Sequence, residues 1–241
     1  MKNPLSEPLK SSDSLTGVDF EAGAILLIDK PAGVTSFAVV NRVRRLLRVK
    51  KVGHAGTLDP AATGLLILLT GKHTKHQDQF MGQDKVYRAT VLFGIETDSA
   101  DLDGNIIAEH PVPELQQKDI EAILESQFSG EFDQVPPAFS AIKVDGVRSY
   151  KRARQGKLVA LKSRRVTLHR SEIIAWQAPE VVIDLHCSSG FYVRSLASDL
   201  GRKVGCGAAL KRLIRTSIGE FKLEDAFDLD ELAEKIRICR I

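Results

Sequence analysis

The residues of this chain best suited to chemistry fall in one stretch, Gly53-His54-Ala55-Gly56-Thr57-Leu58-Asp59-Pro60. Two glycines let the backbone approach a ligand closely, and one carboxylate follows a run of cations that favours its ionised form. Such an Asp is suited to attack an electrophilic carbon. The competing local reading is an Asp-Pro turn, or an Asp capping a helix that starts at Pro60; for His54 it is a structural loop histidine. Downstream, Ser188-Ser189-Gly190-Phe191-Tyr192-Val193-Arg194 ends a strand and opens a helix. Arg194 then lies in the first helical turn, where the dipole disfavours a cation. A carboxylate partner would offset this, and Asp59 is the natural candidate; a surface arginine is the alternative. Tyr87 sits in an alternating pattern, where local sequence favours an ordinary half-buried strand tyrosine.

Other chemistries fail on spacing. Gly64 to Lys72 puts six residues between the glycines where a phosphate-binding loop needs four, and His73 stands where Ser or Thr would bind magnesium. Gly205-Cys206-Gly207 lacks the third glycine of a dinucleotide fingerprint. Asp101-Leu102-Asp103-Gly104 echoes a calcium loop, but His110 occupies the place of the bidentate Glu, so a turn is expected. His73 and His76 share a helical face without a third ligand nearby, and no metal site is expected.

The elements that must position these residues can be read from periodicity. Residues 1–22 are polar and aperiodic and read as a frayed, flexible leader. Ala24 to Asp29 suits a buried strand. Ser36 can cap a helix with Val39, Val40, Val43, Leu46 and Leu47 as its apolar stripe and Arg42, Arg44, Arg45 and Arg48 largely outside it. Val49 to Thr63 reads as a long irregular loop, of the length that is usually functional. Strands are expected over 65–70, 85–93, 138–144, 164–176, 181–187 and 210–218, and helices over 73–81, 115–127, 149–155, 192–203 and in the tail from Leu223. Without strict βαβ alternation, the class is α+β with a mixed sheet.

Charge is segregated. The net charge is only +3, yet Lys30 to Leu58 holds seven cations and no acid. Lys143 to Arg170 holds ten against Asp145 alone, and Arg202, Lys203, Lys211, Arg212 and Arg215 follow without an acid between them. Any one cluster is ordinarily a solvated face; three together argue for a polyanion, held in a salt-dependent way. The apolar run 65–69 is far short of a membrane span, no secretory signal is evident, and the three cysteines form no Cys-x-x-Cys pair. A soluble, cytoplasmic protein is expected.

Six blocks together resemble the bacterial TruB-type tRNA pseudouridine synthases: Asp29-Lys30-Pro31-Ala32-Gly33-Val34-Thr35-Ser36, Lys51 through Gly64, Lys85-Val86-Tyr87-Arg88, Thr97-Asp98-Ser99-Ala100-Asp101, Pro136 through Lys143, and Gly190-Phe191-Tyr192-Val193-Arg194. The resemblance runs from about residue 23 to 219 and overrides the local turn reading of Asp59. It implies a pseudouridine synthase fold, with a central mixed, largely antiparallel sheet flanked by helices and an active-site cleft across it, and no cofactor or metal. It makes Asp59 the essential aspartate, Arg194 its partner, Tyr87 the aromatic packed on the target base, and His54 the support of the flipped nucleotide. The same resemblance implies that Leu213 lines the base pocket and that Lys30, Gly56, Thr57, Leu58 and Tyr192 complete substrate binding. Arg42, Arg44, Arg45, Lys51, Lys143, Arg148, Lys151 and Arg152 are the expected contacts to the RNA backbone.

The implied reaction converts uridine 55 in the tRNA T loop to pseudouridine by base flipping, glycosidic cleavage and reattachment through carbon 5. The expected partner is the T stem-loop, with no membrane and no obligatory protein partner, the chain acting as a monomer. Many members carry a C-terminal PUA domain; the stretch 220–241 is too short for one and is expected to be an acidic helical tail. An RNA chaperone that refolds tRNA, with catalysis secondary or absent, is the alternative from another class. A nucleotide-binding enzyme is disfavoured by the failed phosphate motifs.

Overall fold

The structure is a computed structural model that describes residues 7–140, 143–144, 147–149 and 161–239. In chain order its elements are β1 (Ile25–Lys30), α1 (Ser36–Leu47), β2 (Val52–Ala55), β3 (Thr63–Thr70), α2 (Gln77–Met81), β4 (Lys85–Phe93), β5 (Ile95–Thr97), β6 (Ile106–Glu109), α3 (Gln117–Phe128), β7 (Gly130–Gln134), β8 (Lys143–Val144), β9 (Val147–Arg148), β10 (Arg164–Gln177), β11 (Glu180–Cys187), α4 (Val193–Val204), β12 (Ala208–Ile218), β13 (Phe221–Lys222) and α5 (Leu229–Ile238). They form two compact units, one of Met1–Tyr87 with Ile214–Ile241, the other of Arg88–Leu213. The class is α+β, as the mixed periodicities require.

In the first unit β3 pairs antiparallel with β1 and with β2, while Ile214 and Arg215 of β12 run parallel to Thr63 and Gly64. The sheet is therefore mixed. Alternate residues of β1 and β3 serve two cores. Leu26, Ile28, Leu66 and Leu68 pack with the apolar stripe of α1, and Ile25, Leu27, Leu65, Ile67 and Leu69 with Phe80 and Ile218. Burying both faces explains why this strand reads as an unbroken apolar run. At ~1.5–3 kcal/mol for each fully buried Leu or Ile, these two strands supply much of the unit's hydrophobic stabilisation. Gly64 has φ 101° and its Cα faces the Arg215 backbone, so a side chain there would force β3 and β12 apart.

Several expectations are corrected here. Thr35, not Ser36, caps α1, accepting from the Ala38 N–H; Ser36 is the first helical residue and its hydroxyl turns to Leu58. The expected loop 49–63 contains β2, a strand formed by pairing to β3 rather than by its own propensity. From residue 7 on, the leader is tied in: Leu9 bonds with Ile25 and Leu27, Leu15 is buried, and the Lys235 ammonium donates to the Ser11 and Asp13 carbonyls. In the tail, α5 spans Leu229–Ile238, and Phe227, Leu229, Leu232 and Ile236 lie in the same core as α1. No strand covers Ala138 to Ser140.

In the second unit β10 pairs antiparallel with β7 and with β11, and α3 packs on β10 and α4. Phe132 stands edge-on to both Phe128 and Phe191, with ring centroids 5.6 and 6.1 Å away. Beyond Ser149, the basic helix expected over 149–155 lies outside the described residues.

Candidate active site

The Asp59 loop joins two antiparallel strands, leaving β2 at Ala55 and entering β3 at Thr63. No helix follows Pro60, which removes the helix-cap alternative; the Ala62 N–H closes a turn on the Asp59 carbonyl at 3.2 Å. Thr57 is exposed, Leu58 buried and Asp59 half-buried. His54 lies on β2 opposite Leu68.

Lys30 behaves differently from the substrate contact that was expected. It has no exposure at all, and its ammonium donates to the carbonyls of Pro31 (2.8 Å), Val34 (2.8 Å) and Pro60 (3.1 Å). Three donors meet three acceptors, so the side chain holds the residue after Asp59 in place rather than reaching for a ligand. Burial, reinforced by the nearby Arg215 charge, pushes its pKa down to about 8, against the opposing pull of Asp59 and Asp29. The Lys30 ammonium and the Asp59 carboxylate thus attract one another, an opposite charge that favours the ionised carboxylate. Tyr87 is a buried inward position of β4, in phase with Lys85, Ala89, Val91 and Phe93.

In the second unit Arg194 occupies the first turn of α4, after Tyr192 as N-cap, with no acidic residue in that turn. It is 5% exposed. Its guanidinium donates to the carbonyls of Ser99 (3.1 Å) and Phe139 (3.0 Å), and its Nε lies 3.5 Å from an Asp101 carboxylate oxygen. A carboxylate that offsets the dipole penalty is therefore Asp101, which the sequence reading passed over as part of a turn. Asp101 is itself oriented by the Ser99 hydroxyl at 2.5 Å and the Asp103 N–H at 3.2 Å. Gln134 was also missed: its side-chain amide binds the Tyr192 N–H (2.8 Å) and carbonyl (3.0 Å), fixing the entry to α4. Leu213 is buried on β12. The structure thus places Lys30, His54, Gly56, Thr57, Leu58, Asp59 and Tyr87 in the first unit and Tyr192, Arg194 and Leu213 in the second.

Among the expected phosphate contacts, Arg44, Arg45 and Lys51 are exposed, whereas Arg42 is engaged by Asp230 of α5. Lys143 and Arg148 are opposite one another across the β8–β9 pair, and Lys151 and Arg152 lie outside the described residues.

Two family models match the chain, and both describe pseudouridylate synthases. Residues 44–193 match the TruB family pseudouridylate synthase N-terminal domain, and residues 194–240 the tRNA pseudouridylate synthase B C-terminal domain. The chain belongs to the TruB family. It is 44% identical over 227 residues to the tRNA pseudouridine synthase B of Endomicrobium trichonymphae, an alignment covering 93% of this chain and 96% of the relative. To that of Desulfotalea psychrophila it is 48% identical over 223 residues, 90% of each. The fold is also that of the archaeal box H/ACA sRNP Nop10–Cbf5 complex, with a TM-score of 0.68 at 24% identity, and of a Cbf5–Nop10–Gar1 complex, with 0.70 at 24%. This chain covers 92% and 94% of itself in those matches but only 56% and 62% of the solved chains.

Proposed function

We propose that this chain is a tRNA pseudouridine synthase that isomerises uridine 55 of the T loop. The observation that carries this is the Asp59 loop, a half-buried carboxylate between β2 and β3 with the buried Lys30 cation acting on it, within a chain that belongs to the TruB family. The reaction breaks the bond between uracil N1 and the anomeric carbon, turns the ring, and joins carbon 5 to the sugar. The proton leaves carbon 5 and N1 gains one, so no atom is gained or lost. A hydrolytic glycosidase uses two carboxylates because one must activate water. Here the departing base returns as the nucleophile and one carboxylate suffices. Asp59 attacks the anomeric carbon, attacks the uracil ring, or promotes a glycal by elimination; all three use the same ionised oxygen.

In this reading Tyr87 packs on the everted base, a contact worth ~1–3 kcal/mol in other RNA readers. His54 supports the flipped nucleotide and Arg194 is the arginine of the catalytic set. A uridine in a loop is cheaper to extrude than a paired one. The exposed cations of α1 hold the stem-loop by its phosphates. A monomer acting in the cytoplasm accords with this reading, and among the described residues no helix is long and apolar enough to cross a membrane.

The test is release of tritium from a tRNA transcript labelled at carbon 5 of uridine, which occurs only when that carbon is rejoined to the sugar. Asp59→Ala is expected to lower turnover by at least ~10³-fold, about 4 kcal/mol of barrier, with tRNA affinity retained. Affinity falling in step with rate would assign Asp59 to binding instead. A chaperone without catalysis would release no label from the unmodified chain.

A further inference from the structure

We propose that Arg215 and Ser36 are positioning residues for the reaction, a two-point clamp on the backbone that carries Asp59; the proposal rests on Asp59 being the reactive carboxylate. Arg215 is 1% exposed and Ser36 2%, so neither is placed to touch RNA. Sequence alone assigns them elsewhere, Arg215 to a basic cluster and Ser36 to a helix cap.

The Arg215 Nε–H donates to the Leu65 carbonyl at 2.7 Å, and its Nη2 to the Gly56 carbonyl at 3.1 Å. Gly56 is the first residue beyond β2, and Leu65 lies two residues into β3. One planar fork thus fastens both ends of the loop. An apolar side chain of similar length would fill this space without the cost of desolvating a charge, but it would leave two carbonyls without these donors. Gly64 keeps β12 close enough for the fork to reach, since any side chain there would meet the Arg215 backbone.

Ser36 acts on the next-but-one residue. Its Oγ accepts the Leu58 N–H at 2.9 Å and donates to the Leu58 carbonyl at 3.1 Å. A single hydroxyl therefore satisfies both polar groups of the residue preceding Asp59. With Gly56 held from β12 and Leu58 from α1, the segment before the carboxylate is fixed by elements far apart in the chain. Held this way, the carboxylate meets its target without first ordering its own loop, which is where misplacement by ~1 Å costs ~10²-fold in rate.

The experiment uses the full chain and Arg215→Met, Arg215→Lys and Ser36→Ala. Single-turnover tritium release, tRNA Kd, thermal unfolding and hydrogen exchange at the Leu58 amide are measured for each. Arg215→Met is expected to lower the rate by ~10²-fold with Kd held within ~3-fold, Arg215→Lys to retain more of the rate, and Ser36→Ala to lose ~10-fold while its Leu58 amide exchanges faster. A folded Arg215→Met or Ser36→Ala with the parent rate overturns the proposal, as does a Kd that weakens in parallel with rate. If Arg215→Met does not fold, Ser36→Ala decides. If the unmodified chain binds tRNA but releases no label, the proposed function falls, and unchanged Leu58 exchange in Ser36→Ala separately overturns the clamp.

Discussion

A lysine with no exposed surface and all three of its donors given to backbone carbonyls has exchanged solvation for local order. Its folded-state pKa of about 8 lies below the ordinary 10.5. Between those values the unfolded chain binds more protons than the folded one, so this residue makes stability rise with pH from about 8 to 10.5 and contributes no slope below that window. Urea unfolding at pH 8 and pH 10 is expected to show the parent gaining on Lys30→Met by at most ~1.4 kcal/mol per pH unit. Equal slopes would mean the ammonium is not depressed. In the second unit, Asp101→Ala removes a charged partner of a buried guanidinium and an anchor of Ser99 and Asp103. Denaturant titration is expected to show a loss of ~2–4 kcal/mol, against ~0.5 for a change at the exposed Asp103.

At the scale of elements, α1 divides its labour. Its Val39, Val40, Val43 and Leu47 enter the core, Arg42 is occupied by Asp230, and Arg44 and Arg45 face solvent. Replacing Arg44 and Arg45 together by Ala is expected to weaken tRNA binding and flatten its dependence on log salt by up to ~1.5, with the single-turnover rate on bound tRNA kept. An unchanged slope would take this helix out of the interface. The same element shows what sequence discloses. Its stripe was legible because 3.6-residue periodicity is written locally; its cap was misplaced by one because Thr35 and Ser36 are equally able caps and only Leu58 decides between them. Strand β2 was hidden because Gly53 and His54 carry little β preference and the strand exists by pairing with β3. Asp59, Tyr87, Arg194 and Asp101 all stand in ordered blocks of the sequence, but the partners of Asp101, read there as part of a turn, and of Gln134, outside every block, were not legible. What makes those two matter is a contact with a residue more than fifty positions away, and no local pattern records it.

For the molecule as a whole, the two ends of the described chain converge on one core. Leu15 from the beginning and Phe227 and Leu232 from the end are all buried beside α1. Phe227→Ala is expected to cost ~3–5 kcal/mol, a drop in Tm of several degrees, because the cavity opens where β1, α1 and α5 residues meet. A loss below ~1 kcal/mol would show that the tail is dispensable to the fold.

That arrangement sets an order of events on the ribosome. Translation at ~5–20 residues per second delivers 88–213 as one uninterrupted stretch, whereas the unit started before it still awaits Arg215, Ile218, Phe227 and Leu232. The unit begun before residue 88 is thus completed only after residue 213, once Arg215, Ile218, Phe227 and Leu232 have been added to its leucine-rich strands.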